Sequence, residues 1–301
     1  MLKIKTLSDV PIRDACEAWN NGFMDYYVKI QMSVSQFTFR LGWDELSPDY
    51  SFIAYYNEIP AGIILNGITE INGKRLAWNG GTSVAASFRK QGIAKKLMES
   101  SLEIYKRENV DIATLEAFTV NHAAIRLYES FGYRVVDQLL FLKKTEPDEK
   151  STFTNDKIQG YTLHRGLPQD VSELSFYQHG APWKTQWKFI RGGESIIVKD
   201  RNGEAAGYML YQNIRGKDGK TILFQCEADE RLPARSEMIQ LMIGQLFKTD
   251  SRMISTYNLP RKNHFLINNL INAGFIESFT DQKIPLKQVF MKKTMNETTV
   301  D

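Results

Sequence analysis

Cysteine and histidine are scarce in this chain of 301 residues, which has two of the first and four of the second. Cys16 and Cys226 fall in different halves and the histidines are scattered. Neither a disulfide framework nor a metal site is therefore expected, and the thiols read as small buried hydrophobes of a reducing compartment. No apolar run approaches the roughly eighteen residues of a membrane-spanning helix, and the opening MLKIKTLSDV lacks a signal peptide's apolar core. The expectation is a cytoplasmic protein with no membrane partner. A large charge imbalance is missing too. Its 38 basic and 35 acidic residues leave a net +3, spread along the chain, which argues against nucleic acid as a partner. What is present, 43% hydrophobic and 24% charged residues, is a globular composition, and the length suffices for two domains.

The stretch around which the chain is organised is Asn79–Met98, NGGTSVAASFRKQGIAKKLM. It passes from a predicted strand through a short basic loop into a helix at Gly92. A helix start leaves backbone N–H groups without partners and carries partial positive charge. Arg89, Lys90, Lys95 and Lys96 surround it, and Gly92 has no Cβ to hold an anion away from the backbone. Two readings stand side by side at this point: a pyrophosphate cradle, or an ordinary amphipathic helix with a glycine near its start.

In chain order, Leu2–Thr6 reads as a strand, followed by a helix to about Asn20 with Pro11 in its first turn. Residues 22–47 are rich in aromatics, chiefly core, with the remainder free to line a groove. Ser51–Tyr56 and Ala61–Leu65 form a hairpin signal, and Asn72–Gly73 turns into the strand Arg75–Val84. From Ile93 apolar residues recur at helical spacing. Asp111–Phe118 is a strand, Asn121 caps a helix that stops at Gly132, and Val135–Leu142 closes this half. The polar run 146–158 is the expected linker.

After it the order restarts. Ser51-Phe-Ile-Ala-Tyr matches Ser195-Ile-Ile-Val-Lys. Asn121-His-Ala-Ala-Ile matches Asn263-His-Phe-Leu-Ile, and Leu140-Phe-Leu-Lys-Lys matches Val289-Phe-Met-Lys-Lys, at offsets of 142 to 149 residues. A duplicated fold follows, with domains at 1–145 and 159–301. At the offset of the Ser51 match Arg89 falls on Pro233 and Gly92 on Ser236, and at that of the Asn121 match Tyr128 falls on Leu270, so the second copy keeps the scaffold and loses the cradle. His122 recurs as His264, in a half without the cradle, and is read as structural.

These residues resemble the GCN5-related N-acetyltransferases (GNAT). The family's acyl-CoA signature, Arg/Gln-x-x-Gly-x-Gly/Ala, stands here as Arg89-Lys-Gln-Gly92-Ile-Ala94. A second, Asn-x-x-Ala-x-x-Leu-Tyr-x-x-x-Gly-Phe/Tyr, stands as Asn121, Ala124, Leu127, Tyr128, Gly132 and Tyr133. Both lie in the first half; residues 159–301 depart from them at the ligand positions. The resemblance implies an α/β (α+β) fold class: two tandem domains, each a mixed, mostly antiparallel twisted sheet flanked by helices, the first active and the second degenerate.

The resemblance further implies acetyl-CoA as co-substrate, no metal, and direct attack by a primary amine of a small-molecule or peptide acceptor. In the family two neighbouring strands splay, and the freed edge, here Thr82, Ser83 and Val84, holds the pantetheine arm, with the Val84 amide facing the thioester oxygen. Arg89, Lys90, Gln91, Gly92, Ile93, Ala94 and Lys95 surround the pyrophosphate, and Asn121 caps its helix or bonds the pantetheine. Tyr128 matches the thiol-protonating tyrosine. Glu116, which interrupts an apolar strand, is the first choice of general base, with Glu70, Asp25, Glu45 or a water chain as alternatives. Other functions left open are a non-catalytic CoA-binding sensor and transfer of a longer acyl chain. A homodimer is compatible with the sequence.

Overall fold

The computed structural model describes residues 1–146, 158–216, 219–249 and 251–295. The linker expected at 146–158 lies, apart from its end residues, outside the described residues. In the first half the order is β1 (Leu2–Thr6), α1 (Ile12–Gly22), α2 (Val34–Trp43), β2 (Phe52–Tyr56), β3 (Ile59–Ile71), β4 (Lys74–Val84), α3 (Ile93–Arg107), β5 (Ile112–Phe118), α4 (His122–Ser130), β6 (Arg134–Leu140) and β7 (Leu142–Thr145). The second half has β8 (Thr162–Gly166), β9 (Glu194–Lys199), β10 (Ala205–Ile214), β11 (Lys220–Ala228), α5 (Arg235–Leu246), β12 (Met253–Thr256), β13 (Leu259–Pro260), α6 (His264–Asn272), β14 (Ile276–Glu277) and β15 (Lys287–Thr294).

Contacts divide the chain into two units. One is Met1–Val136 with Thr280–Ile284 and the segment from Val289; the other is Asp137–Phe279 with Pro285–Gln288. The first unit's sheet runs β1-β2-β3-β4-β5-β15-β6 and the second unit's runs β14-β7-β12-β11-β10-β9-β8. Each is mixed: three antiparallel pairs lead to one parallel pair, β4 with β5 and β11 with β12.

The expected division at 145 is contiguous, and these units are not. The strand expected over Val135–Leu142 breaks at Phe141. β7 then pairs between β12 and β14, the slot that β15 takes between β5 and β6. The two runs that matched in sequence are the ones exchanged. Each fits because the slots are equivalent: Val289 and Met291 join the core of Leu97, Met98, Leu115 and Tyr128, while Leu142 joins that of Met242, Ile254 and Leu270. Lys144 Nζ donates to Ala273 O at the end of α6 (2.7 Å), a favourable place for a cation.

Sequence periodicity accounts for the helices that support the site. α3 buries Ile93, Leu97, Met98, Ser101, Ile104 and Tyr105 on one face. α2 was hidden in the aromatic stretch, although Ser33 and Gln36 form a capping box, Ser33 N–H to Gln36 Oε1 at 2.8 Å and Gln36 N–H to Ser33 Oγ at 3.3 Å. In the second unit the chain between β8 and β9 contains only short 3₁₀ turns.

Candidate active site

The parallel β4–β5 ladder pairs Leu76 with Ile112 through Asn79 with Leu115 and stops there. Both strands continue, β4 to Val84 and β5 to Phe118, so beyond Asn79 they part. The bulge responsible lies at Gly80, where the β3–β4 register shifts. Three contacts hold it. A Cβ on Gly81 would stand 2.7 Å from the Trp19 ring, so only glycine lets that ring lie against the strand. Arg40 donates to Gly80 O at 2.7 Å, stacks 4.2 Å above Trp19 and approaches the buried Asp44 carboxylate at 3.2 Å. Asn79 Oδ1 accepts from Gly81 N–H at 3.0 Å. The Gly80–Gly81 pair inside a strand was the sequence signal for this bulge; nothing local pointed to Arg40.

Past the bulge, Ala85 N–H bonds Ala61 O on β3 at 2.9 Å. Main-chain groups alternate along a strand, so Val84 turns its N–H and C=O to the edge that β5 has left. Arg89 Nε meets Val84 O at 3.1 Å, and its Nη2 meets Gly22 O, at the end of α1, at 3.3 Å. The Arg89 guanidinium is thus a latch between β4 and the negative end of α1.

The loop then turns through two left-handed residues, Lys90 (φ 63°) and Gly92 (φ 76°). Alternation of this kind converges N–H groups on an anion-sized concavity. The first α3 bond runs from Lys96 N–H to Gly92 O at 3.1 Å, so the amides of Gly92, Ile93, Ala94 and Lys95 have no intrahelical partner. Nothing lies within 4 Å of where a Gly92 Cβ would be, and no acidic residue occurs in the first helical turn. Lys90, Gln91 and Lys95 are exposed, while Ile93 is buried and anchors the helix under the loop. A pyrophosphate group fits this start on both geometry and charge.

Tyr128 comes from α4 into the same region. It is 6% exposed and its phenol is hydrogen-bonded by Thr82, which also accepts from Asn79 Nδ2 at 2.8 Å. Burial pushes the Tyr128 phenol up and the Thr82 bond offsets part of this, so the group is protonated at neutral pH. Asn121 caps α4, accepting from Ala124 N–H at 3.3 Å, and its side chain also bonds the Tyr26 phenol. Burial raises Tyr26 as well, and Tyr128 lies close enough to add to the effect. The Tyr26 and Tyr27 rings lie 5.6 and 5.8 Å from that of Phe118, at the end of β5. Among the aromatics of 22–47, these are the ones delivered to the splay.

Glu116 extends from the opposite face of β5 to that of Leu115 and Ala117, which pack in the Tyr128 core. Trp78 Nε1 donates to its Oε2 at 2.7 Å, a contact that sequence reading missed because the two residues are 38 apart. Ser83 Oγ is buried against Gly22, away from the Thr82 network. His122 and His264 are both exposed first-turn residues. Among the described residues no group of three or more His, Cys, Asp or Glu is placed to hold a metal, and no helix is long and apolar enough to cross a membrane.

The second unit repeats the splay and fills it. Its ladder ends at Leu223 with Thr256 while β11 runs on to Ala228. By this register Phe224 and Gln225 replace Gly80 and Gly81, and Tyr257 replaces Glu116. Tyr257 packs on Phe224 and Phe141 (6.0 and 5.5 Å). Asn263 Nδ2 donates to Glu227 Oε1 at 2.8 Å and to Cys226 O at 3.4 Å, occupying the edge. The following helix starts from Ala234 at φ −93°, two residues before the Ser236 that a constant offset places opposite Gly92.

Residues 15–133 match the model of the Acetyltransferase (GNAT) family. Over these residues the chain is similar to that family. Among curated proteins it resembles N-alpha-acetyltransferase 30 of Saccharomyces cerevisiae, 35% identical over 92 residues; the match covers 29% of this chain and about half, 52%, of that protein. Among solved structures, a tandem GNAT protein from the clavulanic acid biosynthesis pathway covers 99% of this chain and is itself covered completely, 100%, at 13% identity and TM-score 0.57. A GCN5-related N-acetyltransferase from Sphaerobacter thermophilus covers 98% of this chain, with 95% of its own length matched, at 13% identity and TM-score 0.60. At such identities these two establish a shared tandem GNAT fold.

Proposed function

We propose that this protein is an N-acetyltransferase whose first unit transfers the acetyl group of acetyl-CoA to a primary amine by direct attack. The observation that carries the reading is the break of the β4–β5 ladder at Asn79, which leaves a strand edge leading to an uncapped, cation-flanked helix start. Acetyl-CoA supplies the activated acyl group as a thioester. Thr82–Val84 offer its pantetheine arm a backbone edge, and the amides of Gly92–Lys95 offer its pyrophosphate unpaired donors.

Val84 N–H is the donor for the thioester oxygen, which gains charge as the amine attacks. Tyr128 holds a proton at Oη, beside Thr82, for the departing thiolate. Glu116 accepts the proton of the incoming ammonium, directly or through water. The Trp78 N–H on Glu116 Oε2 fixes the carboxylate's orientation. Tyr26, Tyr27 and Phe118 border the acceptor.

The N-alpha-acetyltransferase relative supports a peptide α-amine as acceptor. The deciding assay follows free thiol on mixing the protein, acetyl-CoA and peptides that carry either a free N-terminus or a blocked N-terminus with an internal lysine. Release is expected with the free N-terminus and a 10²–10⁴-fold loss of kcat in Tyr128→Phe, the usual size of a proton-transfer contribution. Tight acetyl-CoA binding with no amine-dependent release, and no change in Tyr128→Phe, would overturn the enzymatic reading.

A further inference from the structure

The second unit contains a cavity of about 500 Å³ lined by Arg165, Glu194, Tyr211, Arg215, Lys248 and Thr249, among others. Its place in the repeat gives it meaning. Tyr211 is the first residue after the β10–β11 bulge, as Asn66 is after the β3–β4 bulge. In the first unit that position is sealed. Asn66 Nδ2 donates to Ser101 Oγ (2.8 Å) and Tyr50 O (2.7 Å), Tyr105 donates to Asn66 Oδ1 (2.6 Å), and Asn66 N–H donates to Ser51 Oγ (2.9 Å). Asn66, Ser101, Tyr105 and Ser51 are all fully buried, and every group in this set is neutral.

In the second unit the same place is charged and open. Arg165 Nη1 donates to Tyr211 Oη at 2.8 Å and Nη2 reaches Gln245 Oε1 at 3.4 Å. Tyr211 in turn donates to Glu194 Oε2 at 2.8 Å. The phenol is pushed up to about 12, by burial first and then by Glu194, so it stays a donor to that carboxylate. The chain of bonds holds Arg165 in one orientation at the cavity wall and engages the Glu194 carboxylate. Arg215 stands on the same wall. A guanidinium fixed this way keeps its remaining N–H groups for the oxygens of a phosphate, and the exposed Arg215 lines the same cavity without such a restraint.

We propose that this cavity binds a phosphate-bearing small molecule, with Arg165 and Arg215 as its ligands. The inference is independent of acetyl transfer by the first unit. Because the Gly92 helix start could also take phosphate, the test uses that site as a control. Inorganic phosphate is titrated calorimetrically into the full chain at constant ionic strength, with acetate as comparison. Saturable binding is expected in wild type and in Gly92→Glu, with at least a tenfold weaker Kd in Arg165→Gln and in Arg215→Gln. Arg215 makes no bond within the Tyr211 chain, so its replacement tests the site even where Arg165→Gln disturbs folding. Loss of binding in Gly92→Glu with retention in both arginine variants would overturn the proposal. So would equal affinity for acetate, or no saturable binding.

Discussion

The two helix starts that follow the splayed strands, at Gly92 and at Ala234, differ in every property that matters to an anion. The first turns through left-handed residues, presents unpaired amides and has Lys90, Lys95 and Lys96 around it. The second begins with ordinary backbone, has Glu237 in its first turn, and places Arg235 near Glu227 and Glu230 (3.9 and 3.5 Å). A carboxylate at a helix start is stabilised by the same partial charge that would otherwise attract phosphate. The second unit thus places acidic side chains at its helix start, and the first places none there. The wedge between the strands follows the same rule, with glycine and Glu116 on one side of the duplication and Phe224, Tyr257 and Asn263 on the other.

This contrast can be broken first at the helix starts. Gly92→Glu puts a side chain and a negative charge into the space above the amides and forces a non-glycine residue to φ 76°. Acetyl-CoA binding, measured calorimetrically, is expected to fall at least a hundredfold, whereas Ala234→Glu is expected to leave it within twofold. Equal losses would show that the halves are wrongly assigned. The next largest effect concerns Glu116, whose counterpart is Tyr257. Glu116→Gln is expected to lower kcat by about 10²–10⁴-fold, with the Km for acetyl-CoA unchanged. An unchanged kcat would transfer the base role to water.

A third comparison uses stability. Burial raises the Glu227 carboxyl to about 7, opposed by Arg235 and Asn263. The folded state therefore binds more protons than the unfolded chain between the ordinary carboxyl range and pH 7. Stability conferred by the protonated group is lost as pH rises through that window, by up to about 3 kcal/mol. Denaturant unfolding of Glu227→Gln is expected to be less pH-dependent between pH 5 and 8 than wild type. A parallel dependence in both would refute the shift. The smallest effect is shared by the halves: Asn121→Ala and Asn263→Ala each remove a helix cap, at about 1 kcal/mol, but only Asn121→Ala is expected to alter acetyl transfer. Loss of transfer from both, at matched stability, would refute the division of roles.

Much of this was legible without coordinates, for local reasons. Ile93 to Tyr105 announce α3 by spacing, Asn121 and Asn263 announce their helices by capping, and Gly92 announces an exposed helix start. The signals carried by Arg89-x-x-Gly92-x-Ala94 and by Tyr128 extend over a few residues each. Arg89 shows the limit of such reading: its place in the motif was evident, but not that its guanidinium turns to Val84 O and Gly22 O. Trp78 and Glu116, or Tyr26 and Asn121, meet only because separate elements pack, and no periodicity encodes a contact between residues so far apart.

The sequence by itself determined a duplicated scaffold, with a glycine at one helix start that the other copy lacks. These are written in short-range patterns of polarity, capping and backbone freedom. Only the tertiary structure decided which copy owns each last strand. Leu140-Phe-Leu-Lys-Lys and Val289-Phe-Met-Lys-Lys carry the same alternation, so either satisfies either slot locally, and the choice falls to chain connection and packing. The state of the second splay was settled in the same way. Phe224, Tyr257 and Asn263 are unremarkable one at a time, and they close the wedge because the fold brings them to one edge.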